Sequence, residues 1–290
     1  MRIATAVVNW NNPDIPEVFP WMPYAEALDH MVEAGYQATE WGPSMPTDPA
    51  ELHEALTSRG LDLVGAFVAL GFRDRGAWDA ELERALGIAR FLAANGGSVL
   101  IAAEAGDDRR RGEAGHVDES RGLTDEQWRS LGAGLDELAR RLGPLGMRLV
   151  VHNHVGTYVE TPAETARLLD STDPALVGWC LDVGHLAFGG GDAVELLPRF
   201  ADRVRHVHVK DVDAAVLARA RAEGWSFGQA LAQYVFPPLG EGMARIPEVV
   251  AALRNVGYDG WYVIEQDTCP GDPTATAKAN RAYLEGLLGA

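Results

Sequence analysis

Histidines and acids gather at the ends of short apolar runs in this chain: His152-Asn-His154, Cys180-Leu-Asp-Val-Gly-His185, His206-Val-His-Val-Lys-Asp211 and Val263-Ile-Glu-Gln-Asp267. Alternate side chains of a strand share a face, so His206, His208 and Lys210 form one row and His152 and His154 another. With Asp182 and Glu265 beside them, these rows offer two carboxylates and one or two imidazoles to a single point. Such a set, with coordination positions left open, suits Mn2+, Co2+, Zn2+ or Fe2+ better than Ca2+, which prefers oxygen throughout. One histidine in an apolar strand is more often a hydrogen-bonded core residue than a ligand. Five of them at three strand ends, accompanied by acids, favour a metal site. Asp182 and His185, three apart across a turn, could instead only hold their loop.

Other strand ends carry weaker signals. Glu40, before Trp41-Gly-Pro43, could bond a ligand hydroxyl or pair with a basic neighbour inside the fold. Asn9, Trp10 and Asn12 suit a sugar-like ring, and would equally serve an Asx-turn and a rim contact.

The elements that must position these groups read as repeated βα units. Eight β-branched runs alternate with amphipathic stretches: Ile3 to Val8, Gln37 to Trp41, Leu61 to Val68, Ser98 to Ala102, Arg148 to Asn153, Val177 to Leu181, Val204 to Val209 and Trp261 to Glu265. This predicts an α/β fold, a (β/α)8 TIM barrel in one domain over residues 1–290, and 290 residues suit a barrel of that kind. Helices are expected over Tyr24 to Glu33 and Glu81 to Ala94, where apolar residues recur at three and four residue steps. Thr124 to Gln127 and Thr161 to Glu164 have the spacing of capping boxes, and Gly35, Gly60, Gly146 and Gly257 that of left-handed helix ends.

Two segments exceed a bare barrel. Glu104 to Gly122 follows the fourth strand and carries Arg109-Arg-Arg111; it could contact an anionic substrate, although a solvated, mobile loop is the favoured reading. Val212 to Gly240 follows the seventh strand, with a helix over Ala214 to Glu223 and then Trp225, Phe227, Tyr234 and Phe236. A lid, a subunit contact in a homo-oligomer, or plain packing on the rim would each explain those aromatics.

Charge and composition exclude several classes. Asp and Glu outnumber Lys and Arg by 42 to 25, a formal charge of -17, so phosphate backbones and anionic lipid surfaces should be repelled. No apolar run approaches membrane-spanning length, and the opening run is cut off by Asn9 before it could serve as a signal core. Cys180 and Cys269 have no paired spacing and fit a reducing cytoplasm. No glycine loop of a phosphate-cradling kind stands out, since Gly189-Gly-Gly191 leads into an acid, Asp192, which reads as a helix cap.

Asp182-Val-Gly-His185, His206-Val-His-Val-Lys-Asp211 and the glutamate-ended last strand resemble the xylose isomerase-like barrels of the sugar phosphate isomerase and epimerase superfamily. Within it the chain looks most like inosose dehydratases, through Asn9-Trp-Asn-Asn-Pro-Asp-Ile-Pro16, Thr39-Glu-Trp-Gly-Pro43, His152-Asn-His-Val-Gly-Thr157, Asp211-Val-Asp-Ala-Ala-Val-Leu217, Arg-Ala-Glu-Gly224 and Ser226-Phe227. The resemblance covers nearly the whole chain. It implies a divalent metal, Mn2+ or Co2+ before Zn2+ or Fe2+, held by Asp182, His208 and Glu265 with His152 fourth. His185 would then bond the substrate, with His154, Asn9, Trp10 and Glu40 as further substrate contacts. Epimerases of the superfamily usually have glutamate where this chain has His152, in a Glu-Asn-His pattern. Losing one of two acid/base carboxylates, and gaining an imidazole able to protonate a leaving hydroxyl, favours elimination over epimerisation.

The expected activity is therefore dehydration of a small polyhydroxylated cyclic ketone such as scyllo-inosose. Glu265, His152 and Lys210 are the expected catalytic groups, with Lys210 or His154 able to take the proton because a metal-bound carboxylate is a weakened base. The alternative is an isomerase or epimerase working through the same enediolate. Cleavage of abasic DNA calls for a basic rim that this charge does not provide, and a sugar-binding protein on a decayed barrel would not need Asp182, His208 and Glu265 together.

Overall fold

Eight parallel strands close on themselves in sequence order, from β1 to β8, in a computed structural model that describes residues 2–289. They are β1 (Arg2–Ala6), β2 (Ala38–Trp41), β3 (Asp62–Leu70), β4 (Val99–Glu104), β5 (Arg148–His152), β6 (Val177–Asp182), β7 (Val204–Val209) and β8 (Trp261–Ile264). The expected runs and these strands agree to within a few residues at each end. Closure is direct, with Arg2 beside Trp261 and Thr5 beside Ile264. Each strand is followed by helix, which covers the outer face of the barrel and buries the apolar side chains of both.

Local signals account for where the helices stop and start. Thr124 and Thr161 form the reciprocal capping boxes their spacing predicts, the second with Pro162 in its first turn. Gly35, Gly60, Gly146 and Gly257 all have positive φ, which lets the chain leave a helix and turn into the next strand. The helices Tyr24–Glu33 and Ala214–Glu223 have the expected bounds, whereas the one expected to begin at Glu81 starts earlier, at Trp78.

Register sets the inward rows. Cys180 pairs with His206, Asp182 with His208, and His208 with Val263, so the polar ends of β6, β7 and β8 reach the same level of the barrel. Two small clusters, Ala4, Ala6, Ala38, Val64 and Val263, and Val99, Ile101, Val150 and Cys180, pack inside the sheet among the strands. Among the described residues, no helix is long and apolar enough to cross a membrane.

Candidate active site

Asp182 uses its two oxygens differently. Oδ1 accepts from the backbone N–H of His185 at 2.6 Å, capping the short helix Val183–Phe188. Oδ2 is buried without a hydrogen-bond partner. It faces His152 Nε2 at 3.4 Å and His208 Nδ1 at 3.7 Å. His208 Nδ1 lies 3.2 Å from His152 Nε2 and 3.2 Å from Glu265 Oε2. Asp182 and His185 thus hold their loop, as one reading of the sequence had it, while the second Asp182 oxygen is left for something else.

The four residues His152, Asp182, His208 and Glu265 have ligand atoms all within 4.8 Å of one another. Four donors about 2.1 Å from a shared ion lie roughly 3.4 Å apart in a tetrahedral shell, which matches the separations above. The unpartnered buried oxygen supports the same reading, since a buried acceptor is normally satisfied. This group can hold a divalent cation.

Electrostatics keep the two carboxylates and His152 in ligand form, whereas Cys180, Glu265 and Glu40 outweigh burial and raise His208 well above an ordinary imidazole, so that it would shed a proton on binding an ion. Burial would raise the carboxyl of Glu265, but the charges of His208 and Lys210 outweigh it and hold the group well below its ordinary range. Asp182 is likewise buried and yet lowered, chiefly by the Lys210 charge. Burial pushes His152 down, and it pushes His185 well down with help from the Lys210 charge, so both are neutral imidazoles.

Lys210 anchors the other half of the site. Its ammonium lies 2.8 Å from Asp267 Oδ1, 3.0 Å from Glu265 Oε2 and 3.2 Å from His185 Nε2, over the ring of Phe236. Burial opposes its charge, but these acids raise it above an ordinary lysine. Gly184 makes the approach possible: a Cβ there would meet Lys210 Cγ at 2.6 Å. Asp267 carries a role that the sequence reading did not assign. Burial lifts its carboxyl to about 7 despite the lysine beside it. Its only sequence signal was its place two residues after Glu265.

Above these groups lies a cavity of about 310 Å³, in the range of small-molecule sites. Phe67, Trp41 and Phe227 give it apolar walls, and His154, His185 and Lys210 its polar ones. His154 stacks on His185 with ring centroids 4.0 Å apart, and its Nδ1 lies 2.7 Å from the Val155 carbonyl. Burial lowers His154 to about 4, so the ring is neutral with its Nδ1 proton on that carbonyl and its Nε2 lone pair free. Phe227 comes from the helix Phe227–Ala232 in the segment after β7, so that segment reaches the pocket as well as packing on the rim.

Several expectations need correction. Asn9 and Trp10 do not border the cavity. β1 ends at Ala6, and a 3-10 turn over Val7–Asn9 diverts the chain, so Asn9 bonds Thr5 Oγ1 and the Ile264 carbonyl and accepts from the Gln266 N–H. Trp10 Nε1 donates to Thr274 Oγ1. Asn12 makes the Asx-turn, accepting from the Asp14 N–H at 2.8 Å. Glu40 borders the cavity, yet the contacts its carboxylate makes are with basic neighbours, His206 and His208. Nor is the segment after β4 simply a solvated loop. Arg110 is fully buried, 2.8 Å from Glu164 and 2.6 Å from the Thr157 carbonyl, and Arg109 reaches the Tyr158 hydroxyl. Arg111 alone of the three lines the pocket.

A closed parallel barrel whose strand ends gather two carboxylates and two imidazoles under one pocket defines a class. The family model for the xylose isomerase-like TIM barrel matches residues 28–287, and the chain belongs to that family. More particularly, it is 37% identical to an inosose dehydratase of Geobacillus kaustophilus, over 99% of this chain and 94% of that one. An inosose dehydratase of Lacticaseibacillus casei is 31% identical over 99% and 96%. Among solved structures, the IolI protein with a bound zinc atom superposes with a TM-score of 0.73 at 14% identity, covering 100% of this chain and 98% of that one, a likeness of fold.

Proposed function

We propose that this chain is a divalent-metal-dependent dehydratase that eliminates water from a cyclic polyhydroxy ketone such as scyllo-inosose. The full-length relationship to inosose dehydratases carries this reading. The donor set of Asp182, His208, Glu265 and His152 supports the metal, and its mixed oxygen and imidazole character suits Mn2+ or Co2+ first and Zn2+ or Fe2+ next. When bound, the ion would supply Lewis acidity at the ketone and charge stabilisation as the α proton leaves.

The chain's own residues account for the proton movements. His154, neutral and with Nε2 free toward the pocket, takes the α proton, and the C–H electron pair becomes that of an enolate. Collapse of the enolate forms the new double bond and breaks the β carbon–oxygen bond. Lys210, held charged by Asp267 and Glu265, gives the departing hydroxide the proton that turns it into water. His185, fixed between the Val155 N–H and Lys210, stands against the substrate beside His154. Glu265, shared between His208 and Lys210, holds the two halves of the site together.

His152 favours this outcome over epimerisation. An imidazole where a second carboxylate would stand leaves one base fewer for returning a proton to carbon. Two carboxylates rather than three also leave a divalent site without net negative charge, which strengthens its pull on a carbonyl. The test is an ultraviolet assay of metal-stripped protein with scyllo-inosose, with and without Mn2+ or Co2+, against Glu265→Gln. A metal-dependent rise in absorbance, absent in the variant, is the expected result. Conversion to a second inosose or ketose with no rise would assign the chain to the isomerases instead.

A further inference from the structure

Glu40 is a buried acid of the pocket wall that the proposed chemistry does not use. It ends β2 and is 3% exposed. Its Oε1 lies 2.6 Å from His206 Nε2 and 3.2 Å from His208 Nε2, both of them buried. A carboxylate accepts hydrogen bonds, so at these distances each ring presents an Nε2 proton to it. His208 therefore turns Nδ1 toward His152 Nε2, Asp182 Oδ2 and Glu265 Oε2.

We infer that Glu40, braced by His206, is a positioning residue that fixes the tautomer and ring orientation of His208 so that Nδ1 is its metal-binding atom. The inference rests on the metal reading above. A ligating imidazole keeps its orientation only if its other nitrogen is satisfied, and carboxylates commonly serve that purpose. Here the bracing is two-sided. His206 stands two residues before His208 on the same face of β7, and the shared oxygen ties both rings to β2 across the barrel. His206 itself has no second partner, its Nδ1 being buried and unbonded. The ring therefore serves Glu40 alone, as a clamp on the carboxylate would. A rival arrangement uses Glu40, His206 and His208 as a second metal group, since their ligand atoms also lie within 4.8 Å. It would require His208 to bridge two ions through both nitrogens, giving up the Nε2 proton with which it now donates a hydrogen bond to Glu40.

The test uses the full-length chain, stripped of metal and labelled with 15N-histidine, beside Glu40→Gln and the milder Glu40→Asp. Affinity is read by Co2+ titration against a competing chelator, with the visible Co2+ spectrum and the metal count per chain. Ring nitrogens are read by NMR with Zn2+. The wild type should take up one Co2+, with His208 bound through Nδ1 and protonated at Nε2. Glu40→Gln should bind 10- to 100-fold more weakly with an altered Co2+ spectrum, and Glu40→Asp should lie between. A wild type that binds Co2+ while Glu40→Gln binds it as tightly and with the same spectrum overturns the inference and leaves the metal reading intact. A wild type that takes up no Co2+ overturns the metal reading and this inference with it. The NMR assignment needs no variant, so a ligating Nε2 in the wild type, or a second bound ion, overturns the positioning role even if Glu40→Gln does not fold.

Discussion

Lys210 and Arg110 are both buried cations, and their surroundings give them different work. Lys210 faces the pocket among Glu265, Asp267 and His185. Replacing it by Met should lower kcat by about 10²- to 10⁴-fold, the range for loss of one proton-transfer group. Steady-state kinetics in the ultraviolet assay checks this, and a kcat within a few fold of wild type would remove Lys210 from the mechanism. Arg110 does not line the pocket itself; it ties Glu164 to the carbonyl of Thr157 in the pocket wall. Arg110→Met leaves Glu164 buried without its cation and should cost about 3–5 kcal/mol of stability. Its exposed neighbour supplies the control, because Arg111→Met should cost less than about 0.5 kcal/mol in the same urea unfolding measurement. Equal losses for the two variants would contradict the burial argument.

Among the elements, Glu160 is one of the groups that join the loop after β5 to the segment after β4. It accepts from the Gly156 N–H and from the Gly115 N–H, each at 2.7 Å. Burial lifts it to about 7, against an ordinary 4.5, because the two N–H groups and Arg110 offset only part of the desolvation. A carboxyl raised by folding binds its proton more tightly in the native state. Its stabilising contribution is therefore complete below about pH 4.5 and is lost as pH rises through 7, an effect on the order of 3 kcal/mol. Glu160→Gln, which stays neutral, should flatten the decline in stability between pH 5 and 7.5, seen as the difference between wild-type and variant urea midpoints. Parallel curves would mean that Glu160 does not titrate in that window. The helix beginning at Pro162 relies on Thr161 as its cap, and Thr161→Ala should cost about 1 kcal/mol.

At the scale of the whole molecule, the proposed metal joins β5, β6, β7 and β8, four neighbouring staves of one closed sheet. An ion bound only by the folded barrel stabilises it by mass action, about 2.7 kcal/mol at a free concentration of 100 Kd. Adding Mn2+ or Co2+ to stripped protein should raise Tm by a few °C, and Glu265→Gln should lose most of that shift. A wild-type Tm indifferent to every divalent ion would count against the metal independently of any assay for turnover.

What could be read from the chain alone was local. Short apolar runs mark all eight strands, threonine and glycine spacings mark helix ends, and His152, Asp182, His208 and Glu265 stand at strand ends that a parallel barrel must bring to one rim. Tertiary structure decided which face of the rim each polar group meets. Glu40 and His206 are 166 residues apart, and only closure of the sheet pairs them. Asn9 turns back because a 3-10 turn ends β1 early, and Arg110 is buried because the segment after β4 folds against the loop after β5. Asp267 acquires its elevated carboxyl from burial, which outweighs the opposing charge of Lys210, with Glu265 adding to the rise. The physical reason is one of range: strand periodicity and caps depend on residues a few positions apart, whereas partners and burial across a barrel depend on strands brought together from distant parts of the chain.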